Sequence, residues 1–218
     1  MAPSGPGNSS ETTRLLDRVA AGEQTVWGKL LTRHQRRLRA LVSLRLDHRL
    51  HGRIDPSDVI QEAYLEASRQ LADYLKDPSI PFYLWLRLIT GQKLVALHRH
   101  HLGTQGRDAG REVSLYRGAL PEASSTALAA QLLGHGSRPS EAAMRAERSL
   151  RLQEALNSMD PLDREVLALR HFEQLSNAET AHVMELGESA ASKRYVRALQ
   201  RLRQILTSMP GGLDEVLP

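Results

Sequence analysis

Cysteine is absent from this chain of 218 residues. That excludes disulfides, thiolate nucleophiles and cysteine-ligated zinc, and it suits a reducing compartment, with the cytoplasm as default. Aromatic residues make up only 4%, a poor supply for sandwiches and barrels, whereas leucine, alanine and arginine are abundant and favour helices. No apolar run approaches the roughly 20 residues of a membrane-spanning helix. The first ten residues, MAPSGPGNSS, lack the basic and apolar segments of a signal peptide and read as a disordered tail. Neither a phosphate-binding glycine loop nor a nucleophile motif is present, so an enzyme is disfavoured. His98 and His101 share a helix face beside His100, but no acid or cysteine follows nearby to complete a metal site. They read as part of a basic tract, and neither metal nor cofactor is expected.

What the chain does have is clustered positive charge. The formal net charge is only +4, yet residues 27–53 hold eight Lys or Arg against the single acid Asp47, and residues 192–208 hold five against none. Two basic stretches far apart suggest a polyanion touched at two places.

Helical periodicity organises the rest into an all-α protein of two small helical domains joined by a flexible linker. Residues 11–102 form the first domain. Leu15, Leu16 and Val19 mark a short amphipathic helix, and Val26, Trp27, Leu30, Leu31, His34, Leu38, Leu41 and Val42 continue the period in a longer one. Asp55-Pro56-Ser57-Asp58 supplies an N-cap, a proline at the first helical position and an acid in the first turn. Ile60, Ala63, Tyr64, Ala67, Leu71 and Tyr74 then form a buried stripe, leaving Asp58, Glu62 and Glu66 with Gln61 on another face. On its own this ridge reads as a solvated face favoured by the helix dipole. Pro78 and Pro81 break the helix, and Phe82, Trp85, Leu86 and Ile89 restart it, with Trp85 assigned to the core. Gly91 weakens the centre of that helix. Residues 103–140 carry six glycines and two prolines and read as the linker, with a short helix near 124–133. The second domain is 141–208, and 209–218 is a tail.

Within the second domain Asp160-Pro161 repeats the cap-plus-proline start. Ser176-Asn177-Ala178-Glu179 has the spacing of a capping box, and Gly187 is expected to supply the turn before a final helix. In that helix Ala191, Tyr195, Ala198, Leu199 and Leu202 fall on the core side, while Ser189, Ala190, Ser192, Lys193, Arg194, Arg197 and Arg201 face outward. Small residues followed by cations suit a helix that enters a DNA groove.

Three motifs in order resemble the sigma-70 family of bacterial RNA polymerase initiation factors, specifically the compact extracytoplasmic-function (ECF) type with regions 2 and 4 only. Asp55 to Glu62 resembles the D-x-x-D-hydrophobic-hydrophobic-Q-E of region 2.2. Phe82, Trp85, Leu86 and Ile89 resemble the F-x-x-W-L-x-x-I of region 2.3, and Asp163 to Ser176 resembles regions 4.1 and 4.2. The likeness covers nearly the whole chain. It departs at Ala96, where region 2.4 often has an acid; at Glu185, which aligns with the usual turn glycine; and at Ala190-Ala191-Ser192, where the recognition helix is commonly spelled otherwise.

The resemblance implies that Asp55, Asp58, Gln61 and Glu62 dock on the β′ clamp helices of core polymerase, reversing the solvated-face reading. It implies that the loop from Lys76 and the helix after it, with Tyr83, Arg87, Lys93 and Arg99, hold the melted minus-ten element. Aromatic faces in a positive groove suit unstacked bases. Ser189, Ala190, Ser192, Lys193, Arg194 and Arg197 would read the minus-35 duplex. Core RNA polymerase (β′ clamp helices, β flap), promoter DNA and an anti-sigma factor are the implied partners, and a membrane is not. The alternative is a helix-turn-helix regulator with an N-terminal helical sensor domain.

Overall fold

The structure, a computed structural model, describes residues 7–102, 120–133 and 142–208. Among the described residues the regular structure is helical, with no strand. Helix α1 (Gly7–Ala20) starts inside the stretch expected to be a tail, and α2 (Gln24–Arg45), α3 (Pro56–Lys76) and α4 (Phe82–Leu102) complete the first domain. The start of α3 follows from local chemistry: the Asp55 carboxylate accepts the Ser57 N–H at 2.7 Å, and Pro56 needs no hydrogen bond there.

Leu30, Leu38, Leu41 and Leu44 of α2 are fully buried, each contributing about 1.5–3 kcal/mol relative to exposure. Beside them Trp27, Tyr74, Phe82 and Trp85 form an aromatic cluster. Tyr74 stacks on Trp85 at 4.5 Å between ring centroids, and Phe82 meets Trp27 edge-on at 6.0 Å. Trp85 is therefore core, as expected. The Tyr74 hydroxyl donates to the Ile80 carbonyl at 3.0 Å, which pins the loop between α3 and α4.

Helix α5 (Ser125–Leu132) lies where the sequence suggested a short helix within the linker, capped by the Ser124 hydroxyl. It packs on α6 (Ala142–Asn157), with Ser125 donating to Asn157 at 2.7 Å. The Ser124 N–H also reaches back to the Leu44 carbonyl at 2.8 Å. Leu120 lies so close to Gly91 that a Cβ there would collide with it, a packing reason for glycine inside α4. The remaining linker residues 103–119 and 134–140, residue 141 of the second domain, and residues 1–6 and 209–218 lie outside the described residues.

Asp160 caps α7 (Pro161–Leu167), which widens into a π-helical turn at Ala168–Phe172. Gln174 follows with φ 57°, and the reversal leaves Glu173 fully buried. Helices α8 (Asn177–Met184) and α9 (Glu188–Ser208) end the described chain.

Candidate nucleic-acid interface

Helices α8 and α9 form a helix-turn-helix whose geometry is set by short-range bonds. The Ser176 hydroxyl accepts the Glu179 N–H at 3.1 Å while the Glu179 carboxylate accepts the Ser176 N–H at 2.7 Å, so both halves of the capping box are present. The turn differs from the expectation. Glu185 takes the left-handed conformation with φ 53°, whereas Gly187 has no positive φ. The Leu186 N–H closes on the Ala181 carbonyl at 2.9 Å, so the position aligned with the family glycine does bend the chain, with glutamate in place.

On α9, Ala191, Ala198, Leu202 and Leu206 are buried. Leu199, expected on the core side, is 40% exposed; Ala198 and Leu202 already fill that arc, and Leu199 falls at its edge. Ser189, Ala190, Ser192, Lys193 and Arg197 are exposed together. Arg194 differs from its neighbours because it donates to Asp163 at 2.8 Å and lies 3.6 Å from Asp160. It braces α9 against α7.

The ridge on α3 is equally open. Asp55, Asp58, Gln61 and Glu62 are exposed, and among the described residues Asp58 and Glu62 have no ion-pair partner. Asp55 is shared between Ser57 and Arg39, the latter at 3.4 Å, and the Ser57 hydrogen bonds hold its carboxyl below the ordinary value. Glu66 leaves the ridge: it accepts from Lys93 of α4 at 3.0 Å, a hydrogen bond that lowers its pKa. Leu65, 62% exposed, takes its place. Its spacing of seven from Asp58 puts it on the same face, a signal the charge pattern alone had obscured.

The five minus-ten candidates are not presented alike. Lys76 and Arg99 are exposed, and Lys93 is half-buried by Glu66. Tyr83 and Arg87 are only 2% and 3% exposed, because the second domain lies over them. Arg87 Nε donates to the Glu173 carboxylate at 2.9 Å. The Arg37 guanidinium sits 3.4 Å above the Tyr83 ring and donates to the Glu173 carbonyl at 3.1 Å and to the Glu179 carboxylate at 2.8 Å. Arg45 is held by Glu165 and Glu173. Burial alone would raise the Glu173 carboxyl, but Arg45 and Arg87 outweigh it and keep it below the ordinary range. Beside this network lies a cleft of about 820 Å³ bordered by Thr12, His34, Ile80, Glu179 and His182. His98 is occupied otherwise, its Nε2 accepting the Asp47 N–H at 3.2 Å.

Comparison with known proteins supplies the context for these surfaces. The family model "Sigma-70, region 4" matches residues 149–202, which span α7, the helix-turn-helix and its basic face. The RNA polymerase sigma-H factor of Pseudomonas aeruginosa is 26% identical over 199 residues, 88% of this chain and 92% of that protein. Over most of its length the chain is similar to RNA polymerase sigma factors, ECF factors among them. The sigma factor CnrH of Cupriavidus metallidurans is 27% identical over 91% of this chain and 96% of its own length, and the ECF sigma-E factor of Escherichia coli is 26% identical over 86% and 90%. The solved structure of CnrH in complex with the cytosolic domain of CnrY matches with a TM-score of 0.51 at 25% identity, covering 90% of this chain and 97% of that one. No helix among the described residues is long and apolar enough to cross a membrane.

Proposed function

We propose that this protein is an ECF sigma factor that docks on core RNA polymerase through α3, grips the melted minus-ten element with the start of α4 and reads the minus-35 duplex with α9. The observation that supports the reading is the pairing, in one chain, of an acidic ridge, whose exposed Asp58 and Glu62 have no ion-pair partner among the described residues and which ends in exposed Leu65, with a capped helix-turn-helix bearing exposed Lys193 and Arg197. A DNA reader alone has use for the second surface only. Acids and an apolar anchor suit a basic protein partner, here the β′ clamp helices, with the β flap on region 4. Polymerase supplies the chemistry, so the factor itself catalyses nothing and works in the cytoplasm. An anti-sigma protein is a further partner, supported by the complex in which CnrH was solved.

A helix-turn-helix regulator with an N-terminal sensor domain would explain α9 equally well but gives the ridge no task. Pull-down on core polymerase without DNA separates the two. The sigma factor should be retained, and Asp58→Lys with Glu62→Lys should weaken retention by more than about tenfold through like-charge contact. Equal retention of the double variant would remove the docking assignment. Failure of the unaltered protein to bind, with tight binding to duplex DNA alone, would favour the regulator.

A further inference from the structure

The docking and DNA-reading surfaces leave the cleft of about 820 Å³ beside α1 without a task. Its volume falls within the range of small-molecule sites, about 300–1,000 Å³, and such sites form preferentially where domains meet. The walls are set by bonds of the chain itself. The Tyr74 hydroxyl donates to the Ile80 carbonyl at 3.0 Å, which fixes the α3–α4 loop, and Thr12 of α1 meets His34 Nε2 of α2 at 3.5 Å. Leu16, Ala20, Leu75, Ile80, Pro81 and Phe82 supply an apolar lining.

Polar groups border the cleft at two levels. Asp17 is exposed and makes no ion pair among the described residues. His34 and Tyr83 lie deeper, at 3% and 2% exposure, and His34 Nδ1 and the Tyr83 hydroxyl have no hydrogen-bond partner among the described residues. A buried polar atom without a partner is costly, and a ligand that reaches it relieves the cost. Burial, with Arg37 and Arg33 nearby, keeps His34 uncharged at neutral pH. Arg37 is already spent on the Glu179 carboxylate and the Glu173 carbonyl. The cleft therefore offers a carboxylate at its rim and no spare guanidinium for an anion. Asp17 follows Thr12, the neighbour of His34, by five residues, about 7.5 Å along a helix.

From these positions we infer that the cleft binds a small amine, with its ammonium at Asp17, an aromatic or aliphatic body on the apolar lining, and an uncharged hydroxyl directed toward His34 and Tyr83. Such a site does not depend on the sigma-factor reading. Tyramine has this layout; phenethylamine lacks its hydroxyl, and para-ethylphenol lacks its ammonium. Each is titrated into the isotope-labelled full chain while amide chemical shifts report affinity and place. Tyramine should shift Leu16, Ala20 and Phe82 saturably, and each control should bind about fivefold more weakly, the size expected for one hydrogen bond or one exposed ion pair. Asp17→Asn should erase the difference between tyramine and para-ethylphenol, and Ala20→Trp, which fills the cleft, should abolish binding of all three. Both positions are exposed on α1, and circular dichroism verifies that helix content is kept. No saturable shift at millimolar tyramine, equal affinity for tyramine and either control, or full binding by Ala20→Trp would overturn the site. Failure to bind polymerase would remove the sigma-factor reading and leave these titrations unchanged.

Discussion

Replacing Lys193 and Arg197 together by alanine should flatten the salt dependence of duplex binding. Both side chains are exposed, and among the described residues neither is held by an ion pair. Each is available to displace one counterion from DNA, and each phosphate neutralised steepens log K against log salt by about 0.9. The double variant should therefore be shallower by about 1.8, so between about 50 and about 200 mM salt the native protein loses about twelvefold more affinity than the variant. Arg194→Ala is the internal control. Its guanidinium is already spent on Asp163, so it should change the slope far less than either neighbour while loosening α9 on α7. Fluorescence anisotropy of a labelled duplex, titrated with the full chain across the salt series, measures both. Parallel slopes for native and double-variant protein would refute the reasoning, as would an Arg194 variant whose slope falls as far as the pair's.

Other perturbations address the scaffold. Ser176→Ala removes the hydroxyl half of the capping box and should lower stability by about 1 kcal/mol in urea denaturation. Glu173→Gln leaves Arg45 and Arg87 sharing Glu165, and should cost about 3–5 kcal/mol or the whole energy that docks the second domain on α2 and α4, whichever is smaller; an unchanged midpoint in urea would contradict it. Burial, with Arg37 and Arg33 adding to it, pushes His34 down to about 3 from an ordinary 6.5, between Thr12 of α1 and the rings of Phe82 and Tyr83. The unfolded chain takes up this proton below its ordinary pKa and the folded one refuses it. Stability from this group is thus complete above about pH 7 and declines with acid, by about 2 kcal/mol at about pH 5. His34→Phe should lack that component in paired denaturation curves.

Helix starts were the most legible feature of the chain because capping is local. Asp55, Asp160 and Ser176 each announce a helix within four residues, and each caps one. The exposed side of α9 is likewise readable from its period, apart from Leu199 at the boundary and Arg194, whose partners sit on and before another helix. The turn was misplaced because glycine is the usual carrier of positive φ, and here glutamate carries it at Glu185. The ion network left no trace in the sequence. Its hydrogen-bonded partners are 86 to 142 residues apart, and nothing in the spacing of Arg87 distinguishes an arginine that would meet DNA from one that meets Glu173.

That ambiguity has a chemical basis. A carboxylate on a guanidinium and a phosphate on a guanidinium are nearly the same contact, two anionic oxygens facing a planar fork of N–H donors. Glu165, Glu173 and Glu179 thus occupy Arg37, Arg45 and Arg87 much as a short run of nucleic-acid backbone would. The second domain thus saturates, with carboxylates of the same chain, guanidinium donors whose geometry does not distinguish a protein anion from a phosphate.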